Sequence, residues 1–156
     1  MTTTRPRRPN NPLKPLALDA LDKELIAAAR AAMQRHYRPF WHTVAAALRS
    51  SDGRIFTGVH LGATVGRLSV CAEAVALGRA IMEGGVLPEG PFLRTAVAVR
   101  HPKPDEAGDI AIVSPCGACR EMITDYAPDA QVIVPGPDGA PIKLPIATLL
   151  PLPYQR

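Results

Sequence analysis

Two short stretches of this chain hold residues whose types and spacing fit metal chemistry. One is Cys71-Ala-Glu73 and the other is Pro115-Cys-Gly-Ala-Cys119, and together they contain all three cysteines of the 156 residues. Cysteines at i and i+3 fall on one face of a helical turn, so Cys116 and Cys119 can reach one ion. Cys71 supplies a third thiolate. Three protein ligands leave one tetrahedral position of a zinc ion open, the mark of a catalytic centre, since structural zinc usually takes four. Glu73, two residues after the first ligand, is near enough to meet whatever fills that position without coordinating, a place suited to a general acid and base. Zinc lowers the pKa of water towards neutrality, so a carboxylate there can take a proton and later deliver it to a leaving amine. A zinc staple or a redox dithiol would also account for Cys116 and Cys119; a purely structural zinc site has no use for a carboxylate that does not coordinate, and a redox dithiol predicts no stoichiometric metal.

Both stretches lie where a strand gives way to a helix. The positive end of a helix and its free N–H groups favour thiolate, the form that binds metal. Helical spacing of Leu21, Leu25, Ala28, Ala29, Ala32 and Met33 predicts a first helix from Asp19, its cap, to Tyr37. The run 43–49, the turn Ser50-Ser-Asp-Gly53 and the alternating run 54–60 read as a β-hairpin. Residues 71–83 read as a second helix, stopped by Gly84-Gly85, and 116–126 as a third, with Pro115 before it. Runs 92–99, 110–114 and 131–134 are of β type, and Pro137-Asp-Gly139 is a turn into a Pro-rich tail. Five strands alternating with three helices predict an α/β layered domain.

Composition narrows the function classes. Hydrophobic residues at 47% and charged residues at 21% are ordinary for a globular domain, and 156 residues is the size of one. Residues 1–16, with four prolines and no periodicity, read as a flexible Pro/Arg-rich arm, leaving 17–156 as the domain. The net charge of +4 hints at an acidic partner, yet four of the 18 basic residues, Arg5, Arg7, Arg8 and Lys14, lie in that arm. Aromatic residues at 4% are too sparse for a base-stacking platform, so no nucleic-acid partner is expected. No apolar run is long enough to span a bilayer, and Met1-Thr-Thr-Thr-Arg-Pro lacks the apolar core of a secretory signal. A cytoplasmic location is the expectation.

The stretches Ser51-Asp-Gly-Arg-Ile-Phe-Thr-Gly-Val59, Cys71-Ala-Glu73 and Ser114-Pro-Cys-Gly-Ala-Cys-Arg-Glu121 resemble the cytidine deaminase superfamily, closest to blasticidin-S deaminases and small tetrameric cytidine deaminases. The resemblance implies a three-layer αβα sandwich around a five-stranded mixed sheet, one Zn2+ per subunit, and a homotetramer. It implies hydrolytic removal of the exocyclic amine of a cytosine-like nucleoside or base, with release of ammonia. Catalytically inactive zinc-stabilised proteins of the same fold are the competing class. The resemblance assigns Cys71, Cys116 and Cys119 to the metal and Glu73 to proton transfer. It gives Ala72 and Ser114 backbone contacts to the base, and places His42 and His60 at substrate-contacting positions. The chain departs from the family at the sugar. Cytidine deaminases follow Gly-Val with Asn-x-Glu, whose side chains hold the ribose hydroxyls, whereas His60 and Gly62 stand here. Losing those partners weakens the case for cytidine itself. Cytidine deaminases also often carry Arg after Cys-Ala-Glu to offset the thiolate charge; Ala74 stands here, and Arg120 is available for that task.

Overall fold

The computed structural model describes residues 14–84 and 92–155; the Pro/Arg-rich arm up to residue 13 and the Gly85 end of the second helix lie outside them. The first helix, α1 (Ala20–His36), starts on a capping box in which the Asp19 side chain accepts from the Asp22 N–H and the Asp22 side chain from the Asp19 N–H, both at 2.9 Å. It buries Leu25, Ile26, Ala29 and Met33.

A hairpin follows, β1 (Val44–Ser50) and β2 (Ile55–Val59), turning at Gly53, whose φ of 91° suits glycine. Then come α2 (Ala72–Gly84), β3 (Leu93–Arg100), β4 (Ala111–Val113), α3 (Gly117–Tyr126) and β5 (Gln131–Pro135). Where the sequence suggested a tail, the chain forms a sixth strand, β6 (Pro141–Pro145), and a short helix, α4 (Ile146–Leu149). β6 lies at the end of the sheet, where prolines are tolerated because one side of the strand has no ladder partner.

The sheet is mixed, in the order β2-β1-β3-β5-β6. β3 and β5 are parallel, joined through α3, and the other pairs are antiparallel. β4 shares an edge of β3 with β5: β5 pairs with Thr95 to Val97 and β4 with Ala98 to Arg100. The N-terminal side meets the far edge, where the Leu16 N–H donates to the Lys143 carbonyl at 2.8 Å.

The sheet is covered on both faces. Ala45 and Ala47 of β1 and Val97 and Val99 of β3 pack under α1, while Ala46, Leu48, Ala96 and Ala98 pack on the other side with α2 and Ile123 of α3. These strands are therefore buried at almost every position, not alternating. The sandwich has three layers, as the resemblance implied.

Register sets what lies beneath the two helix starts. Gly58, Ala46, Ala98 and Val113 pair in one row across four strands. Gly58 allows the closest approach: a Cβ there would lie 2.4 Å from the Ala76 nitrogen and 2.6 Å from the Ala72 oxygen of α2. At the other end of the row, Val113 ends β4 three residues before Cys116. The strand row thus brings two helix N-termini together.

Candidate metal centre and active site

Cys71 immediately precedes α2, and its carbonyl accepts from the Val75 N–H at 3.2 Å. Cys116 is the N-cap residue of α3 and Cys119 lies in that helix's first turn. The three ligand atoms lie within 4.8 Å of one another, with Cys71 Sγ and Cys116 Sγ 3.5 Å apart. Cys119 is buried, Cys71 half-buried and Cys116 exposed.

Their electrostatics differ. Burial pushes the Cys119 thiol far up, with the charge of Glu73 adding to it. Burial also raises Cys71. Cys116, although burial acts against it too, is held below the ordinary thiol value by the Cys119 N–H and by hydrogen bonds from the neighbouring thiols. Glu73, in the first turn of α2 and 6% exposed, opposes ionisation of all three. Three thiolates beside a buried carboxylate need a cation to coexist. A soft three-sulfur donor set at this spacing fits zinc, with one tetrahedral position left over.

The remaining residues singled out from the sequence fall into two groups. Ala72, fully buried, lies between Cys71 and Glu73, and Ser114 is exposed in the link from β4 to Pro115. His42 and His60 are joined to each other: His42 Nδ1 lies 2.9 Å from the His60 carbonyl oxygen. The His60 N–H donates to the Val44 carbonyl at 2.8 Å, extending the β1–β2 ladder by one residue. Phe56 and Gly58 are the buried alternate positions of β2, and His60 continues that alternation onto the face where α2 starts. Its Nδ1 is buried and has no partner among the described residues, and burial, with the charge of His42, holds its pKa below 6.5.

Gly62 is confined. Its N–H donates to the Trp41 carbonyl at 2.8 Å, and a Cβ on it would lie 2.8 Å from the Phe40 oxygen and 3.0 Å from the Trp41 Cα. The segment it touches is itself tightly turned, with Phe40 at a φ of 65° and 79% exposed. Trp41 carries the Arg38 guanidinium 5.2 Å from its ring centre.

Sequence reasoning missed two features of the site. The backbone approach at Gly58 had a signal, a glycine inside a strand pattern. The partners of Arg120 had none. Its Nε donates to the Pro115 carbonyl at 2.9 Å and its Nη1 to the Leu149 carbonyl at 3.2 Å, and among the described residues none of its hydrogen bonds reaches a thiol.

Comparison with known proteins places this geometry. Residues 19–134 match the family described as the cytidine and deoxycytidylate deaminase zinc-binding region. The chain is 42% identical over 145 residues to a blasticidin-S deaminase of Bacillus cereus, covering 92% of this chain and 99% of that protein. It is 31% identical to a probable cytidine deaminase of Dictyostelium discoideum, over 83% of this chain and 80% of that protein. Among solved structures, the cytidine deaminase of Burkholderia pseudomallei superposes with a TM-score of 0.67 at 28% identity, covering 85% of this chain and 98% of that one.

Proposed function

From the cytidine and deoxycytidylate deaminase family, to which this chain belongs, we infer an enzyme that hydrolyses the exocyclic C–N bond of a cytosine-like nucleoside or base. The observation that carries this is the meeting of three thiols within 4.8 Å at two helix N-termini, with buried Glu73 on the first turn of one of them. Cys71, Cys116 and Cys119 would hold the zinc, which supplies the Lewis acidity that makes water a competent nucleophile near neutral pH. Glu73 takes the proton from that water. As the oxygen bonds to the ring carbon, that proton passes to the adjacent ring nitrogen; Glu73 then moves the remaining hydroxyl proton to the amine, and the C–N bond breaks to release ammonia and leave a carbonyl. The Ala72 N–H and the Ser114 carbonyl hold the ring edge. A carboxylate this buried yet outside the ligand set has a use in proton transfer and none in a purely structural zinc site.

For the substrate, we favour a blasticidin-S-type nucleoside over cytidine. The extent of the likeness to a blasticidin-S deaminase supports this, and so does Gly62. Backbone atoms of Phe40 and Trp41 stand where a side chain at 62 would begin, so no carboxylate can take hold of sugar hydroxyls from that position. His60 and His42 are polar groups available to that wall. The same family reading proposes a homotetramer of 16.6 kDa chains working in the cytoplasm; no described helix is long and apolar enough to cross a membrane.

The test is one zinc per chain by elemental analysis, followed by ammonia release from blasticidin S, deoxycytidine and cytidine. Blasticidin S is expected to lead. Absence of zinc, or of ammonia from every aminated pyrimidine tried, would sink the assignment, and a lead for cytidine would overturn the substrate ranking. Light scattering of the purified protein checks the tetramer.

A further inference from the structure

The three thiols are not held equally well. Cys119 is fixed by burial in the core, and Cys71 is half-buried at the start of α2. Cys116 is exposed, and its side chain makes no capping bond to α3. Packing therefore does little to fix it. What does constrain it is the peptide before it. That peptide is planar, so fixing the Pro115 oxygen also fixes the direction of the Cys116 nitrogen. The Arg120 Nε–H donates to that oxygen at 2.9 Å.

The same guanidinium reaches the Leu149 carbonyl, at the end of α4, at 3.2 Å. The last carbonyls of a helix lack intrahelical donors, and a planar cation suits them. α4 is itself anchored, since Ile146 is fully buried and its N–H donates to the Ala130 carbonyl at 2.9 Å. One residue further on, the Glu121 carboxylate accepts the Tyr154 N–H at 3.0 Å and 3.2 Å, but this contact holds only the exposed tail.

We propose that Arg120 is a positioning residue that ties the Cys116 loop to the C-terminal end of α4, so that the C-terminal segment helps set how tightly the metal is held. Its role is bridging two carbonyls, not balancing thiolate charge. The inference rests on the reading that the three thiols bind zinc.

The experiment is competition for zinc between the purified protein and a chromophoric chelator at fixed pH, with the thiolate-to-metal absorption of the cobalt-substituted protein as a second readout. Arg120→Ala is expected to weaken zinc binding about 10- to 100-fold, the range for residues that orient metal ligands. Arg120→Lys keeps the charge but replaces the planar fork by a single nitrogen that cannot reproduce both bonds, so it should show at least about half of that loss on a logarithmic scale and shift the cobalt band. Glu121→Ala, which frees only the tail, should stay within about twofold of the parent. Parental affinity in Arg120→Lys would show that charge is what matters and overturn the proposal. An equal loss in Glu121→Ala would overturn it too, by making the effect a general one of the tail. Should Arg120→Ala fail to fold by circular dichroism, the lysine variant carries the test. A parent protein without stoichiometric zinc would instead refute the thiol reading, and this inference with it.

Discussion

The two sides of the site are built by different means. On the metal side, two helix N-termini sit over a strand row of small residues, and backbone meets backbone with no spare space at Gly58. On the proposed substrate side, the wall is made of turns: Phe40 at positive φ, Gly62 pressed on Trp41, and His60 hydrogen-bonded through its carbonyl to His42. Exposed apolar side chains flank it, among them Phe40, Leu61, Val65 and Leu68. A rigid, buried region suits a reaction whose reacting atoms must be held closely, whereas a wall of turns can change its lining without disturbing the core. On the proposed reading, the reaction belongs to the first region and the choice of substrate to the second.

This division can be tested. The largest effect should come from Glu73→Gln, which keeps the shape of the carboxylate but cannot carry the proton. Turnover should fall about 10²- to 10⁴-fold on every substrate, with zinc still bound at one per chain. Full activity in that variant would remove the proton-transfer role. Next is Gly62→Glu, which forces a side chain against the Phe40 and Trp41 backbone; the ranking of substrates should change while zinc content and the core stay as they were. An unchanged ranking would place substrate choice elsewhere.

Gly58→Ala tests the metal side with a single carbon. Its Cβ would overlap α2 backbone, so a loss of about 1–3 kcal/mol in denaturant unfolding is expected, the usual cost of overpacking. Turnover should fall alike for all substrates because Glu73 moves with that helix. A selective loss would blur the division. The smallest effect concerns pH. His60 is held below 6.5 by burial and by His42, so between that value and its folded one the unfolded chain binds the extra proton. Stability must then fall as pH drops through that window, and His60→Gln should flatten the decline of Tm between about pH 7 and 5. Parallel curves for the two proteins would mean that His60 is not strained in the fold.

Much of the metal side was legible in the sequence because its signals are local. The i, i+3 spacing of Cys116 and Cys119 and the junction at Cys71-Ala-Glu73 each act within one helical turn, as does the Asp19 cap on the other face of the sheet. β6 was illegible because proline at both ends, Pro141 and Pro145, reads as a strand breaker unless the strand is known to lie at a sheet edge. The two carbonyls that Arg120 joins lie at Pro115 and Leu149, and no periodicity links them.

By itself the sequence determined the layered α/β fold, the three thiols, the carboxylate beside them and hence the class of chemistry. Residue type and short-range spacing suffice for these, since a helix or strand turns a fixed spacing into a fixed direction. Only the tertiary structure decided that Gly58, Ala46, Ala98 and Val113 line up beneath two helix starts, that Gly62 has no room for a side chain, and that α4 reaches back to the Cys116 loop. Those depend on strand register and on contacts between distant parts of the chain, where a shift of one residue would turn every side chain to the other face.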